Sequence, residues 1–201
     1  MMVRRRKGKI WPRTGKQLNW EGRGFAYTTK GRGVLDSWGD REGQVVRQKP
    51  SFVGQNCLEL DSSKGEFIGQ GRPWRFSGTD AEFTARYANH QPQRGLSFQI
   101  KAKDGSDFFL EFAGPNSQKL APGRYPNAAR YPFQNPDQPG LSVSGCHRGA
   151  NTLTGSFEIF EIVYGESAPT RFAADFVQFC EGDPSRPLRG SIRYYSSDWP
   201  G

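Results

Sequence analysis

The chain has 201 residues, enough for one ordinary domain with an appendage, and 34% apolar content with 25 Gly and 14 Pro suits short strands joined by many turns. No stretch approaches the ~20 apolar residues of a membrane-spanning helix, and Cys57, Cys146 and Cys180 lack the paired spacing of a zinc site. The formal charge of +8 is local: residues 1–50 carry 13 basic against 4 acidic side chains, whereas residues 51–201 carry 15 against 16.

Residues 1–50 hold neither a helical nor a strand period. Charges and glycines interrupt every apolar run, which predicts a basic, largely disordered arm. Trp11, Trp20 and Trp38 are unusual in such a segment and suit docking on the domain. The opening Met1-Met2-Val3-Arg4-Arg5-Arg6-Lys7 has the basic start of a signal peptide without the apolar stretch that should follow, so no signal peptide is expected in the chain as given. The basic cluster at 4–9 suits nucleic acid or another anionic surface through counterion release; a solvated tail explains it equally well.

From Cys57 onward short runs appear, each bounded by Gly, Pro, Asn or Asp: 57–60, 66–68, 74–77, 82–88, 96–103, 108–113, 123–130, 141–144, 155–164, 170–180 and 189–196. Several alternate with a period of two. Phe83, Ala85 and Tyr87 fall on one face; so do Leu96, Phe98 and Ile100. Leu188, Gly190, Ile192 and Tyr194 oppose Arg189, Ser191 and Arg193. That pattern predicts a sheet with one face in the core and one in water. The runs 157–164 and 172–179 are apolar on both faces and read as central strands. Asp104-Gly105 is a type I′ hairpin signal, and 165–169 reads as a longer hairpin loop. Residues 113–140, rich in Pro, Asn and Gly, read as a long surface excursion. The fold expected for residues 51–201 is an all-β, antiparallel β-sandwich or jelly-roll-like barrel.

Several constellations offer chemistry. Cys146-His147-Arg148 places a thiol directly before a His and an Arg, the pattern of an activated nucleophile; adjacent residues of a strand point to opposite faces, which argues against that role. His90 and His147 are the only histidines, and their spacing gives no metal site. Asp104, Asp107, Glu181 and Asp183 sit in turns and have the oxygen chemistry of calcium ligands, without an Asp-x-Asp-x-Asp run. Glu111, Glu158, Glu161 and Asp175 fall on strands, where a facing pair would suit a glycoside-type hydrolase. Gly69-Gln70-Gly71 is a glycine-rich turn with no helix behind it, a poor phosphate cradle. Tyr125, Tyr131 and Phe133, interleaved with Arg124 and Arg130, have the composition of a ligand-stacking surface; the plainer reading is that they pin a Pro-rich loop onto the domain. Tyr194, Tyr195 and Trp199 form a second aromatic group. No cofactor is expected.

The phrases Phe67-Ile68-Gly69-Gln70-Gly71, Ala121-Pro122-Gly123-Arg124-Tyr125, Gly140-Leu141-Ser142-Val143-Ser144-Gly145, Asn151-Thr152-Leu153-Thr154-Gly155-Ser156-Phe157, and Phe172-Ala173-Ala174-Asp175-Phe176-Val177-Gln178 before Cys180-Glu181-Gly182 carry a resemblance. Together they resemble an uncharacterised β-rich domain of bacterial, often exported, multidomain proteins, over about two thirds of the chain. The resemblance implies a β fold and an extracellular or cell-envelope setting, and no activity. Such domains commonly carry a Cys before the Asn-Thr-Leu-Thr-Gly phrase and a His before Cys-Glu-Gly, where this chain has Ala150 and Phe179. With Cys146 taking the place of the missing cysteine, the resemblance implies a Cys146–Cys180 disulfide. The expected function is a non-catalytic surface module, with a polysaccharide or cell-surface component as partner. Nucleic-acid or anion binding through the basic arm is one alternative, and a carboxylate-pair hydrolase the other.

Overall fold

A computed structural model describes residues 56–89 and 94–196; the expected arm at 1–50, His90 and Trp199 lie outside the described residues. The strands are β1 (Cys57–Ser62), β2 (Trp74–Ser77), β3 (Ala81–Asn89), β4 (Arg94–Ala102), β5 (Asp107–Ala113), β6 (Gly123–Arg130), β7 (Gly140–Gly145), β8 (Leu153–Tyr164), β9 (Pro169–Cys180) and β10 (Pro187–Tyr194). They form one ten-stranded sheet in the order β2-β1-β10-β9-β8-β6-β7-β5-β4-β3. The expected all-β class holds. Pairing is antiparallel except between β6 and β7, which run parallel at Ala129–Gly140 and Arg130–Leu141, so the sheet is mixed.

The sheet is nearly closed into a barrel, and chain connectivity explains why. Its two edge strands, β2 and β3, are consecutive in sequence and joined only by Gly78, Thr79 and Asp80. Four residue steps span at most about 14 Å, so the edges must approach each other at that end. The Lys103 amide donates to the Asp80 carbonyl at 2.9 Å and ties this turn to the β4–β5 turn.

Period-two patterning selects the inner face. Leu58 and Leu60 of β1, Phe98 and Ile100 of β4, Phe108, Leu110 and Phe112 of β5, Phe157 and Ile159 of β8, Phe172 and Phe176 of β9, and Leu188 and Ile192 of β10 are almost fully buried. Their rings interlock: Phe98 stacks on Phe172 at 4.7 Å, and Phe112 meets Phe157 edge-on at 5.2 Å. Such pairs add about 0.5–1.5 kcal/mol each beyond the area they bury.

Three local features depart from the sequence pattern. The run 66–68 is a turn, not a strand. Glu66 is buried there and accepts hydrogen bonds from the Ile68 amide (2.9 Å), the Gly69 amide (2.6 Å), the Ser62 hydroxyl (2.9 Å) and the Cys180 thiol (3.3 Å). A carboxylate with four donors fixes the turn more firmly than an alternating trio fixes a strand. Secondly, the β4–β5 turn is not type I′. That turn needs positive φ at both central residues, whereas only Gly105 adopts it (φ 89°). The type I′ geometry occurs instead at Cys146 (φ 50°) and His147 (φ 61°), closed by reciprocal bonds between Gly145 and Arg148. Thirdly, β8 carries an extra residue: Ile159 faces Ala174 and Glu161 faces Ala173, leaving Phe160 unmatched. This bulge switches the parity of the strand. Ile159 before it, and Ile162 and Tyr164 after it, therefore all pack on the core. The double-sided apolar look of 157–164 comes partly from that switch.

One of the buried polar side chains completes a strand. Gln178 of β9 is fully buried, accepts from the Val143 amide at 2.8 Å and donates to the Val143 carbonyl at 2.9 Å. Val143 stands opposite Leu110 in the β5–β7 ladder. Its N–H and C=O both point away from β5, and β6 pairs with β7 only at Gly140 and Leu141. The side-chain amide thus replaces the peptide group of a missing strand.

Candidate functional site

A cleft of about 470 Å³ opens at one end of the barrel, between the end of β3, the start of β4, the segment 117–120 and the end of β8. Four distant pieces of chain build it. Tyr87, by alternation in β3, and Tyr164, brought inward by the β8 bulge, stack at 6.2 Å with a 22° interplanar angle. The Tyr87 hydroxyl donates to the Gly165 carbonyl at 2.6 Å and bridges β3 to the β8–β9 turn. The Tyr164 hydroxyl donates to the Leu120 carbonyl at 2.8 Å, which pins the segment 117–120 over the core. Burial, with Tyr125 and Tyr87 nearby, pushes the Tyr164 phenol up to about 12, so it stays neutral at ordinary pH.

Lys119 Nζ sits 3.8 Å from the centre of the Tyr164 ring. The ring's negative face holds the ammonium in place. Arg94 also lines the cleft, and buried Leu96 and Leu120 supply the apolar surface. Among the described residues, the lining contains two cations and no carboxylate. A 3-10 turn at Pro115–Ser117 leads in, with Asn116 and Ser117 in left-handed conformations (φ 54° and 56°) that aim the following residues across the barrel end.

The residues singled out from sequence lie elsewhere. Tyr131 is 1% exposed, packs with Ala88 and Ala113, and donates to the Ala88 carbonyl at 3.3 Å; its ring belongs to the interior and is closed to a ligand. Tyr125 stacks on Phe157 at 4.6 Å, and its hydroxyl exchanges bonds with the Ala121 amide and carbonyl. Both tyrosines pin the excursion, as the plainer reading had it. Arg124 pairs with Glu158 at 3.4 Å. Arg130 lies over Phe133, which is 72% exposed, and donates to the Asn151 carbonyl. Six residue steps separate Arg124 from Arg130, about 20 Å along a strand, so the five do not converge.

Glu158 and Asp175 are direct cross-strand partners. Each is paired with an arginine, Arg124 at 3.4 Å and Arg193 at 2.8 Å, while Glu161 pairs with Arg171 at 3.5 Å. These carboxylates and arginines form an ion-pair lattice on the outer face of the sheet, and none lines the cleft. Glu111 lies on β5, opposite Ser97 and Ser142. The turn acids hold turns: Asp104 accepts from the Ser106 amide and Asp183 from Ser185 and Arg186 within their own turns, while Asp107 accepts from the Cys146 amide and Glu181 from Asn151 and Thr152 of neighbouring turns. No group of three metal-ligating side chains occurs among the described residues.

The implied Cys146–Cys180 disulfide is corrected: all three thiols are free. Cys146 is held at the tip of a tight turn with its amide on Asp107, and Cys180 is engaged with Glu66. Burial pushes the Cys180 thiol up to about 12, with Glu66 adding to the effect, and pushes Cys57 up to about 12, with Glu59 adding. Cys146 and His147 occupy a two-residue turn, not a strand, so the opposite-face argument does not apply to them.

Sequence reading missed the cleft because its parts are separated by up to 78 residues and share no local spacing. The available signals were Tyr87 at the end of an alternating run and Tyr164 at the end of another. No protein-family model, curated protein or solved structure matches the chain.

Proposed function

We propose that the barrel is a non-catalytic binding module that takes a saccharide in the cleft framed by Tyr87, Arg94, Lys119 and Tyr164. The carrying observation is the cleft itself. Its volume falls within the roughly 300–1,000 Å³ typical of small-ligand sites and accommodates about two pyranose rings. Apolar side chains meet a few fixed polar groups, as a binding site requires. The ion pairing of Glu158 and Asp175 favours binding over hydrolysis. The resemblance to domains of exported bacterial proteins supports an extracellular or envelope setting, where polysaccharide is the available partner.

The test is retention of the full chain on a polysaccharide panel at low and high salt, with and without Gln118→Trp, which fills the cleft from its exposed rim. Retention at high salt that Gln118→Trp abolishes supports the reading. Retention insensitive to Gln118→Trp overturns it. Retention only at low salt points to the basic residues of 1–50 and to nucleic acid or another polyanion.

A further inference from the structure

We infer that the cleft selects an acidic saccharide, a sugar ring bearing a carboxylate, rather than a neutral one. The inference rests on the saccharide reading above and adds its charge. Three features of the lining carry it. First, among the described residues of the lining the charged side chains are Lys119 and Arg94, with no carboxylate beside them. A cleft of one sign between low-dielectric walls concentrates the field on its occupant. Second, both tyrosyl hydroxyls already donate to backbone carbonyls, at 2.6 and 2.8 Å, so the donors left facing a ligand are mainly cationic. Cationic donors favour an ionised acceptor over a neutral hydroxyl. Third, Tyr164 has Lys119 over its ring and Tyr87 stacked beside it. Its role is to hold an ammonium in place, which a neutral-sugar platform does not need. The same covering disfavours a nucleobase, which requires an open aromatic face. The volume exceeds what an inorganic anion fills, and Leu96 and Leu120 give the apolar side of a ring something to rest on.

The arrangement sets distinct roles. Lys119 is fixed by Tyr164 and meets the carboxylate. Arg94, an exposed residue at the start of β4, adds a second contact of the same sign.

The experiment measures calorimetric binding of a galacturonate trimer, its methyl-esterified counterpart and sodium sulfate to the full chain, in physiological salt. The acid should bind at least about 10-fold more tightly than the ester, the size of one charge-assisted hydrogen bond, and sulfate should compete only weakly. Lys119→Met should erase most of that difference, Lys119→Arg should retain it, and Arg94→Gln should reduce it; unchanged circular dichroism shows that each variant folds. Equal affinity for acid and ester, no binding of the acid, or a preference that survives Lys119→Met overturns the inference. Equal affinities that Gln118→Trp still abolishes leave the saccharide cleft standing and remove only the charge selection. Sulfate binding as tight as the acid overturns the inference by assigning the site to a free anion.

Discussion

Replacing Gln178 by Met keeps the length and approximate volume of the side chain and removes both of its hydrogen-bonding groups. The amide of Val143, and its carbonyl, then face the interior without partners, at a site where Val143 and Gln178 are 1% and 0% exposed. An unsatisfied buried polar group costs about 1–3 kcal/mol, so two cost about 2–6. A thioether suits the apolar surroundings and offsets part of this, leaving about 3 kcal/mol. With a urea slope of about 2 kcal/mol per molar, the unfolding midpoint should fall by about 1.5 M at nearly constant slope. Gln178→Glu provides an internal control. Its protonated acid can accept from Val143 N–H and donate to Val143 C=O, whereas its carboxylate meets the carbonyl with no donor. The folded-state pKa of that new carboxyl is therefore raised above its unfolded value near 4.3. The variant should be closest to the parent below about pH 4 and lose stability progressively as pH rises through the folded-state value. A midpoint shift under about 0.3 M for Gln178→Met, or a pH-independent deficit for Gln178→Glu, would refute the argument that this amide stands in for a strand.

Other expectations follow from the turns and thiols. Replacing Cys146 and His147 by Asn and Gly gives the type I′ turn the residues that tolerate positive φ and should stabilise the domain by about 1–2 kcal/mol in urea unfolding. Asp183, held down to about 2 by Ser185 first and Arg186 next, contributes stability that is present above about pH 4 and lost as pH falls toward 2. Asp183→Asn should accordingly lower the melting temperature at pH 6 and match the parent at pH 2. Thiol titration of unfolded, unreduced protein should return three thiols per chain; one would show a disulfide, and its loss in Cys146→Ser and Cys180→Ser but not Cys57→Ser would assign it to Cys146 and Cys180. In the folded protein at pH 8, Cys57 and Cys180 should react at least about 100-fold more slowly than on unfolding, since burial keeps both protonated.

The period of two in Phe83–Ala85–Tyr87 and Leu96–Phe98–Ile100 was enough to assign an inner face, because side chains alternate strictly along any strand. The same reading placed the hairpins at 103–106 and 165–169, and it left Tyr125 and Tyr131 between a ligand-stacking surface and anchors of a Pro-rich excursion. It failed where a side chain answers to something remote. Glu66 looked like part of a strand, yet it closes a turn on the nearby Ser62, Ile68 and Gly69 and reaches one remote donor, Cys180. Arg193 read as solvent-facing by parity, yet it is 4% exposed beside Asp175.

Local sequence therefore determined the class of fold, most strand positions and the inner face. Tertiary structure alone decided three things: that the first and last strands of the sheet order lie at neighbouring edges, that Gln178 supplies Val143's missing partners, and that Tyr87, Arg94, Lys119 and Tyr164 share one cleft. The physical reason is range. Alternation and turn chemistry act over a few residues, whereas the cleft depends on a single extra residue in β8 that turns Tyr164 inward and on a barrel curvature that carries β3 to it.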